Sequence, residues 1–170
     1  MKNKEKWYVI YTKSRHEKML ADKLHLMGYE VYLPLIKTQS IRQDRKKTIE
    51  KPLFNSYLFI KECIDLEPLR IFSGFVAYLQ YNGKPAIVYQ YEIDIIKSII
   101  QYGYDVELSE IERKPLQTGN KVLVISGHLK GLEGELNQLI NPEWVFVHFE
   151  KFNASMRVKL PSKILKVIED

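Results

Sequence analysis

Cysteine is all but missing from this chain of 170 residues: Cys63 stands alone and cannot close an internal disulfide, which suits a reducing cytoplasm. No apolar run approaches the roughly 20 residues a bilayer span needs, and residues 1–6 are polar, unlike a signal peptide, so no membrane role is expected. Histidine is scarce too. The four, His16, His25, His128 and His148, have no metal-ligand spacing with one another or with Cys63. No glycine-rich phosphate loop opens a helix and no nucleophile elbow occurs, so neither enzyme activity nor a cofactor is expected. Internal repeats and low-complexity tracts are absent as well.

With 45% apolar and 12% aromatic residues the chain can bury real cores, and its length suits one medium domain or two small ones. The net charge of +5 is unevenly spread. Residues 1–51 hold 13 basic and 6 acidic side chains, residues 52–112 hold 4 and 9, and residues 113–170 hold 9 and 6. A basic first third can attract phosphate while an acidic middle repels it, so nucleic acid would touch one side only. Charge alone fits an unevenly solvated surface equally well.

The aromatic, β-branched run KWYVIYT over 6–12 predicts a first strand. Ser14 with Glu17 three residues later has the form of a capping box, and a helix follows over 15–27 with Leu20, Leu24 and Met27 as its apolar stripe and Gly28 as its stop. Residues 29–35 read as a second strand ending near Pro34. Residues 37–51 carry Arg42, Arg45, Lys46 and Lys47 with little hydrophobic periodicity and read as a long basic hairpin loop. Strands over 54–60 and 75–81, a short helix over 66–72, a tight turn at Asn82-Gly83, an extended piece over 86–88 and an isoleucine-rich helix over 91–102 complete the first unit. By simple alternation Leu53, Tyr57 and Phe59 face one way and Phe54, Leu58 and Ile60 the other, so both faces of that strand are apolar and the second needs a cover, from the chain or from a partner. Residues 103–116 are polar and acidic, as a linker would be. Five short strands over 121–125, 134–140, 144–150, 156–160 and 164–168 then imply a small barrel.

Residues 119–136, GNKVLVISGHLKGLEGEL, have the form of a KOW motif: an alternating strand, a turn carrying Gly127, His128, Lys130 and Gly131, and Gly134 opening the next strand. Together with WYVIYT, YLPL and PLFNSYLFI upstream, the whole chain resembles the NusG family of transcription elongation factors. KPLFNSYLF, GFVAYLQYNGKPAIV and the basic hairpin are most similar to its specialised branch, which includes RfaH and the UpxY regulators; housekeeping NusG acting with Rho stays open. The resemblance implies an α+β chain. Residues 1–104 would form an NGN-type domain with a four-stranded antiparallel sheet and helices, residues 105–116 a linker, and residues 117–170 a KOW domain, an SH3-like five-stranded β-barrel.

It also implies partners. The first domain would bind the β′ clamp helices of RNA polymerase through Tyr11, Phe54, Tyr57, Phe59, Ile93 and Ile96, although each of these taken singly is also an ordinary core residue. Lys13, His16 and Lys23, with Arg15 beside them, would meet the non-template DNA strand, where cations hold the backbone and flat groups stack on bases. Arg42, Arg45, Lys46 and Lys47 would add a second contact to nucleic acid or polymerase; any of these cations alone is equally a solubilising side chain. The segment over 64–74, IDLEPLRIFSG, lacks the threonine-rich element of RfaH and leaves only Arg70 and Ser73 for a contact across the polymerase cleft. Valines at 122, 124, 145, 147 and 158 favour strand, so the KOW domain is expected as a β-barrel and not as a helical hairpin. Its partner would be a ribosomal protein or Rho, and the protein a monomer. The competing class is a ribosome-associated KOW protein that binds RNA.

Overall fold

The computed structural model describes residues 5–42, 45–62, 67–109, 120–136, 144–149 and 154–168, with the side chains of 40–42, 45–46, 67, 107–109 and 155 outside that description. The chain divides into two compact units, Met1–Ile93 and Asp94–Asp170.

The first unit is organised around β1 (Lys6–Thr12), whose buried residues Trp7, Val9, Ile10 and Thr12 fall on both of its faces, so the strand is covered on two sides over much of its length. Along one edge β1 pairs antiparallel with β5 (Tyr57–Lys61), which in turn pairs with the short β2 (Val31–Tyr32). Its other edge is shared end to end by β6 (Phe75–Tyr78) and β9 (Ile87–Tyr89). The sheet therefore has five strands where four were expected, because the extended piece near 86–88 joins it. Between β6 and β9 lies a small hairpin of β7 (Gln80–Tyr81) and β8 (Lys84–Pro85), turned by Asn82 and Gly83, both at positive φ as a two-residue turn requires.

Helix α1 (Glu17–Leu26) buries Leu20, Ala21 and Leu24 against Ile10, Leu58, Ile60 and Val31, a core closed by Leu69 of α2 (Glu67–Arg70) and by Tyr78. Gly28, at φ 85, ends α1: its N–H donates to His25 O and the Tyr29 N–H to Leu24 O, which satisfies two last-turn carbonyls. The capping box does not form. The N-terminal boundary is His16, without a side-chain cap, and the Glu17 carboxylate accepts the N–H of Ser56 instead. A long-range backbone donor has displaced the local one.

The stretch expected as a basic loop is a β-ribbon of β3 (Leu35–Arg42) and β4 (Arg45–Pro52), with eight cross-strand pairs from Leu35↔Pro52 to Arg42↔Arg45. Hydrophobic alternation did not announce it because a two-stranded ribbon is not obliged to bury a face. β2 is correspondingly shorter than the strand expected over 29–35. Helix α3 (Gln90–Gln101) carries Ile93, Ile96 and Ile99, all fully buried and three residues apart, as one helical stripe.

The second unit holds β10 (Val106–Ser109), β11 (Asn120–Val124), β12 (Glu133–Leu136), β13 (Trp144–Phe149), β14 (Ala154–Lys159) and β15 (Leu165–Val167). They form one antiparallel sheet in the order β10-β14-β13-β12-β11-β15. The barrel of five expected here is thus, among the described residues, an open path of six strands, no ladder joining β10 to β15. The additional strand, β10, comes from the segment expected as linker. Val122, Val124, Val145, Val147, Met156 and Val158 form its buried side. Cys63, residues 64–66 of the segment over 64–74, residues 110–119 and the ends of the expected strands at 137–140 and 150 lie outside the described residues.

Candidate docking face and basic loop

The two faces of the first sheet differ. β1 sends Tyr8, Ile10 and Thr12 toward α1, and Trp7, Val9 and Tyr11 the other way, because successive side chains alternate. The register Tyr11↔Tyr57 and Val9↔Phe59 brings the β5 residues Tyr57 and Phe59 onto this second face. Tyr11 is 43% exposed and Tyr57 half-buried; their rings meet with centroids 5.9 Å apart. Below them Phe59 is fully buried between Tyr32, stacked at 6.3 Å, and Phe54, edge-on at 6.3 Å.

Phe54 joins this side although alternation assigned it to the opposite one. It precedes β5 in a turn in which Tyr57 N–H donates to Phe54 O at 3.4 Å and Ser56 adopts φ 63, so the regular period begins only at Tyr57. Of the six apolar candidates, Phe54, Phe59, Ile93 and Ile96 are therefore buried, and Tyr11 and Tyr57 present a wet surface. Tyrosine suits such a rim, with an apolar ring below and a hydroxyl outside. Burial pushes the Tyr57 phenol above its ordinary pKa, and Tyr11 nearby raises it further. Tyr32, deeper, is raised strongly by burial. At the far end Lys61 sits 5.9 Å from the Trp7 ring and bridges Glu5 at 3.0 Å and Glu30 at 3.2 Å. Hydrogen bonds that it donates to Glu5 first and Glu30 second raise its pKa, so this cation is bound within the fold.

The loop from β1 to α1 carries the basic candidates. Lys13 and Arg15 are exposed, Arg15 at φ 64, while His16 is half-exposed and its Nδ1 donates to the Ser14 carbonyl at 3.0 Å, leaving Nε2 for other partners. Lys23 lies two turns along α1 on the side of His16, about 10 Å away by helical rise. Lys47 is exposed on the ribbon; for Arg42, Arg45 and Lys46 the structure gives strand positions in the distal part of the ribbon. Lys18 reaches Glu50 at 3.9 Å with both side chains largely exposed, a contact worth little. Arg70 and Ser73 are exposed.

In the second unit the turn after β11 holds Gly127 and Gly131 at positive φ, with His128 and Lys130 exposed. What fixes the turn is Leu129 and Leu132, both buried, together with Gly131 N–H donating to Val124 O at 2.8 Å. The sequence pattern had singled out the polar residues beside these anchors. Gly134 has a packing reason of its own, since an added Cβ would lie 2.5 Å from the Phe146 carbonyl oxygen. The pairing of Glu17 with Ser56 also escaped sequence reasoning, because no local pattern pairs residues 39 positions apart.

Among the described residues no group of three or more His, Cys, Asp or Glu could hold a metal ion, and no helix is long and apolar enough to cross a membrane. Residues 5–97 match the family described as transcription termination factor nusG. Among solved structures, one described as the MjSpt4:Spt5 complex in conformation B contains a chain similar at 16% identity, with 96% of this chain and 97% of that one covered and a TM-score of 0.29. The family match spans more than half of the chain, which therefore belongs to the NusG family of transcription factors.

Proposed function

We propose that this NusG-family chain is a transcription elongation and antitermination regulator that docks on the β′ clamp helices of RNA polymerase and suppresses pausing or termination. Tyr11 and Tyr57 supply the contact surface, and Phe54, Phe59, Ile93 and Ile96 are buried rather than offered to a partner. Lys13, Arg15, His16 and Lys23 hold the non-template DNA strand, with the ribbon residues Arg42, Arg45, Lys46 and Lys47 as a second contact. Residues 1–104 act as the NGN-type polymerase-binding domain and residues 117–170 as a KOW domain that recruits a ribosomal protein or Rho. The basic ribbon favours the specialised, RfaH- and UpxY-like branch.

One observation carries the reading: the family match over 5–97 contains both the exposed tyrosine pair and the cationic loop that follows β1. Aromatic rings with a polar tip, beside but not inside a positive cluster, suit a protein helix on one side and a phosphate backbone on the other. The test is calorimetric titration of the full chain with a clamp-helix coiled coil. Tyr57→Ala weakens binding by about tenfold, as removal of one well-placed aromatic side chain does. Parent-like affinity in that variant would refute the docking assignment.

A further inference from the structure

We infer that Glu17 is a positioning residue: its buried carboxylate, by holding Ser56, sets where the Tyr57 ring stands on the docking face. The inference rests on the docking reading above for its functional consequence, and on geometry alone for its structural one.

Glu17 is 5% exposed, which is unusual for a carboxylate. Among the described residues its side chain has one hydrogen-bond donor, the backbone N–H of Ser56 at 2.8 Å. Ser56 is held on its other side too, because its carbonyl accepts the Thr12 N–H at 2.9 Å. Both backbone polar groups of this one residue are thus fastened, one to the start of α1 and one to the end of β1. Fastening is needed. Ser56 lies at φ 63, a left-handed conformation that a residue with a Cβ adopts only when its surroundings impose it.

The consequence falls on the next residue. Ser56 is the last residue before β5, so its backbone angles decide the direction in which Tyr57 enters the strand. In a regular strand Phe54 and Tyr57 would stand on opposite sides; with the turn at 54–56 in place, Phe54 packs edge-on to Phe59 while Tyr57 meets Tyr11. Releasing the Ser56 N–H would leave a part-buried donor without its acceptor and a left-handed serine without its support. The turn would then loosen and the Tyr11↔Tyr57 pair, the last of the β1–β5 ladder and the one next to the turn, would fray, so that the Tyr57 ring would leave Tyr11. Glu17 therefore acts on the docking face through the backbone while touching no partner.

The experiment reads the ring position directly, by proton NMR contacts between the Tyr11 and Tyr57 rings in the full chain, alongside titration with the clamp-helix coiled coil. All variants are compared at a temperature where circular dichroism shows them folded. Glu17→Ala abolishes the inter-ring contacts and binds about tenfold more weakly, the usual scale for displacing one positioned aromatic. Glu17→Gln keeps a carbonyl acceptor and both properties. Adding Ser56→Gly to Glu17→Ala restores the ring contacts, since glycine takes φ 63 without strain. Leu24→Ala, which hollows the core under α1, lowers the melting temperature but leaves the ring contacts in place. Inter-ring contacts that persist in Glu17→Ala, or vanish equally in Leu24→Ala, would overturn the inference. If Tyr57→Ala binds the coiled coil like the parent, the docking reading falls, and the ring contacts alone decide the role of Glu17.

Discussion

Replacing Gly134 by alanine tests the tight packing of the second unit through the sign of its effect. Gly134 lies in β12, and an ideal Cβ built there falls 2.5 Å from the carbonyl oxygen of Phe146 and 2.6 Å from the Val145 Cγ1 methyl. The first neighbour is backbone of β13, which cannot rotate aside as a long side chain would. At an open position the same substitution would stabilise by about 0.4–1 kcal/mol, because alanine has fewer unfolded conformations to give up. Overpacking against fixed atoms costs about 1–3 kcal/mol. The difference is a net loss of about 1–2 kcal/mol, which in a unit of under a hundred residues lowers Tm by about 5–15 °C. Thermal unfolding of the full chain, followed by circular dichroism with calorimetry to separate the transitions of the two units, measures it. A variant that melts at or above the parent temperature would refute the close approach of β12 and β13 at this point.

The remaining predictions concern titration and salt. Burial holds the Tyr32 phenol protonated above the ordinary value of 10.0, so the folded chain binds that proton more tightly than the unfolded one and stability falls as pH rises past 10.0. Denaturant midpoints from about pH 9 to about pH 11 show the decline, and Tyr32→Phe reduces its slope; an unaltered slope counts against a buried phenol. In the elongation complex, Lys13→Ala with His16→Ala lowers affinity for single-stranded DNA and flattens the plot of log K against log salt by about 0.7 for each phosphate that the variant no longer neutralises. An unchanged slope would remove the loop from the nucleic-acid face.

Where local chemistry decides, the sequence was readable. Gly28 closed α1, Asn82-Gly83 turned its hairpin, and KWYVIYT became β1, because each depends on neighbours a few residues apart. The capping box failed for the opposite reason: Ser56, 39 positions from Glu17, offers its N–H at 2.8 Å and no local pattern records that competition. The ribbon of β3 and β4 escaped because periodicity reports burial, and an exposed ribbon buries little. The candidate face was legible as a set of aromatic residues but not as a surface. Alternation could say that Tyr57 and Phe59 share a side; it could not say that Tyr11 and Tyr57 lie outermost while Phe59 is sealed between Tyr32 and Phe54.

The ribbon carries a consequence for how this chain tolerates change in length. Eight pairs at about 3.4 Å each project it over roughly 25 Å, and among the described residues no third strand is bonded to it. Insertions and deletions there are constrained by parity: two added pairs extend its reach by about 7 Å and preserve which side chains look which way, whereas one added pair turns every distal cation to the reverse side. Relatives that vary this arm should do so in even steps on both strands.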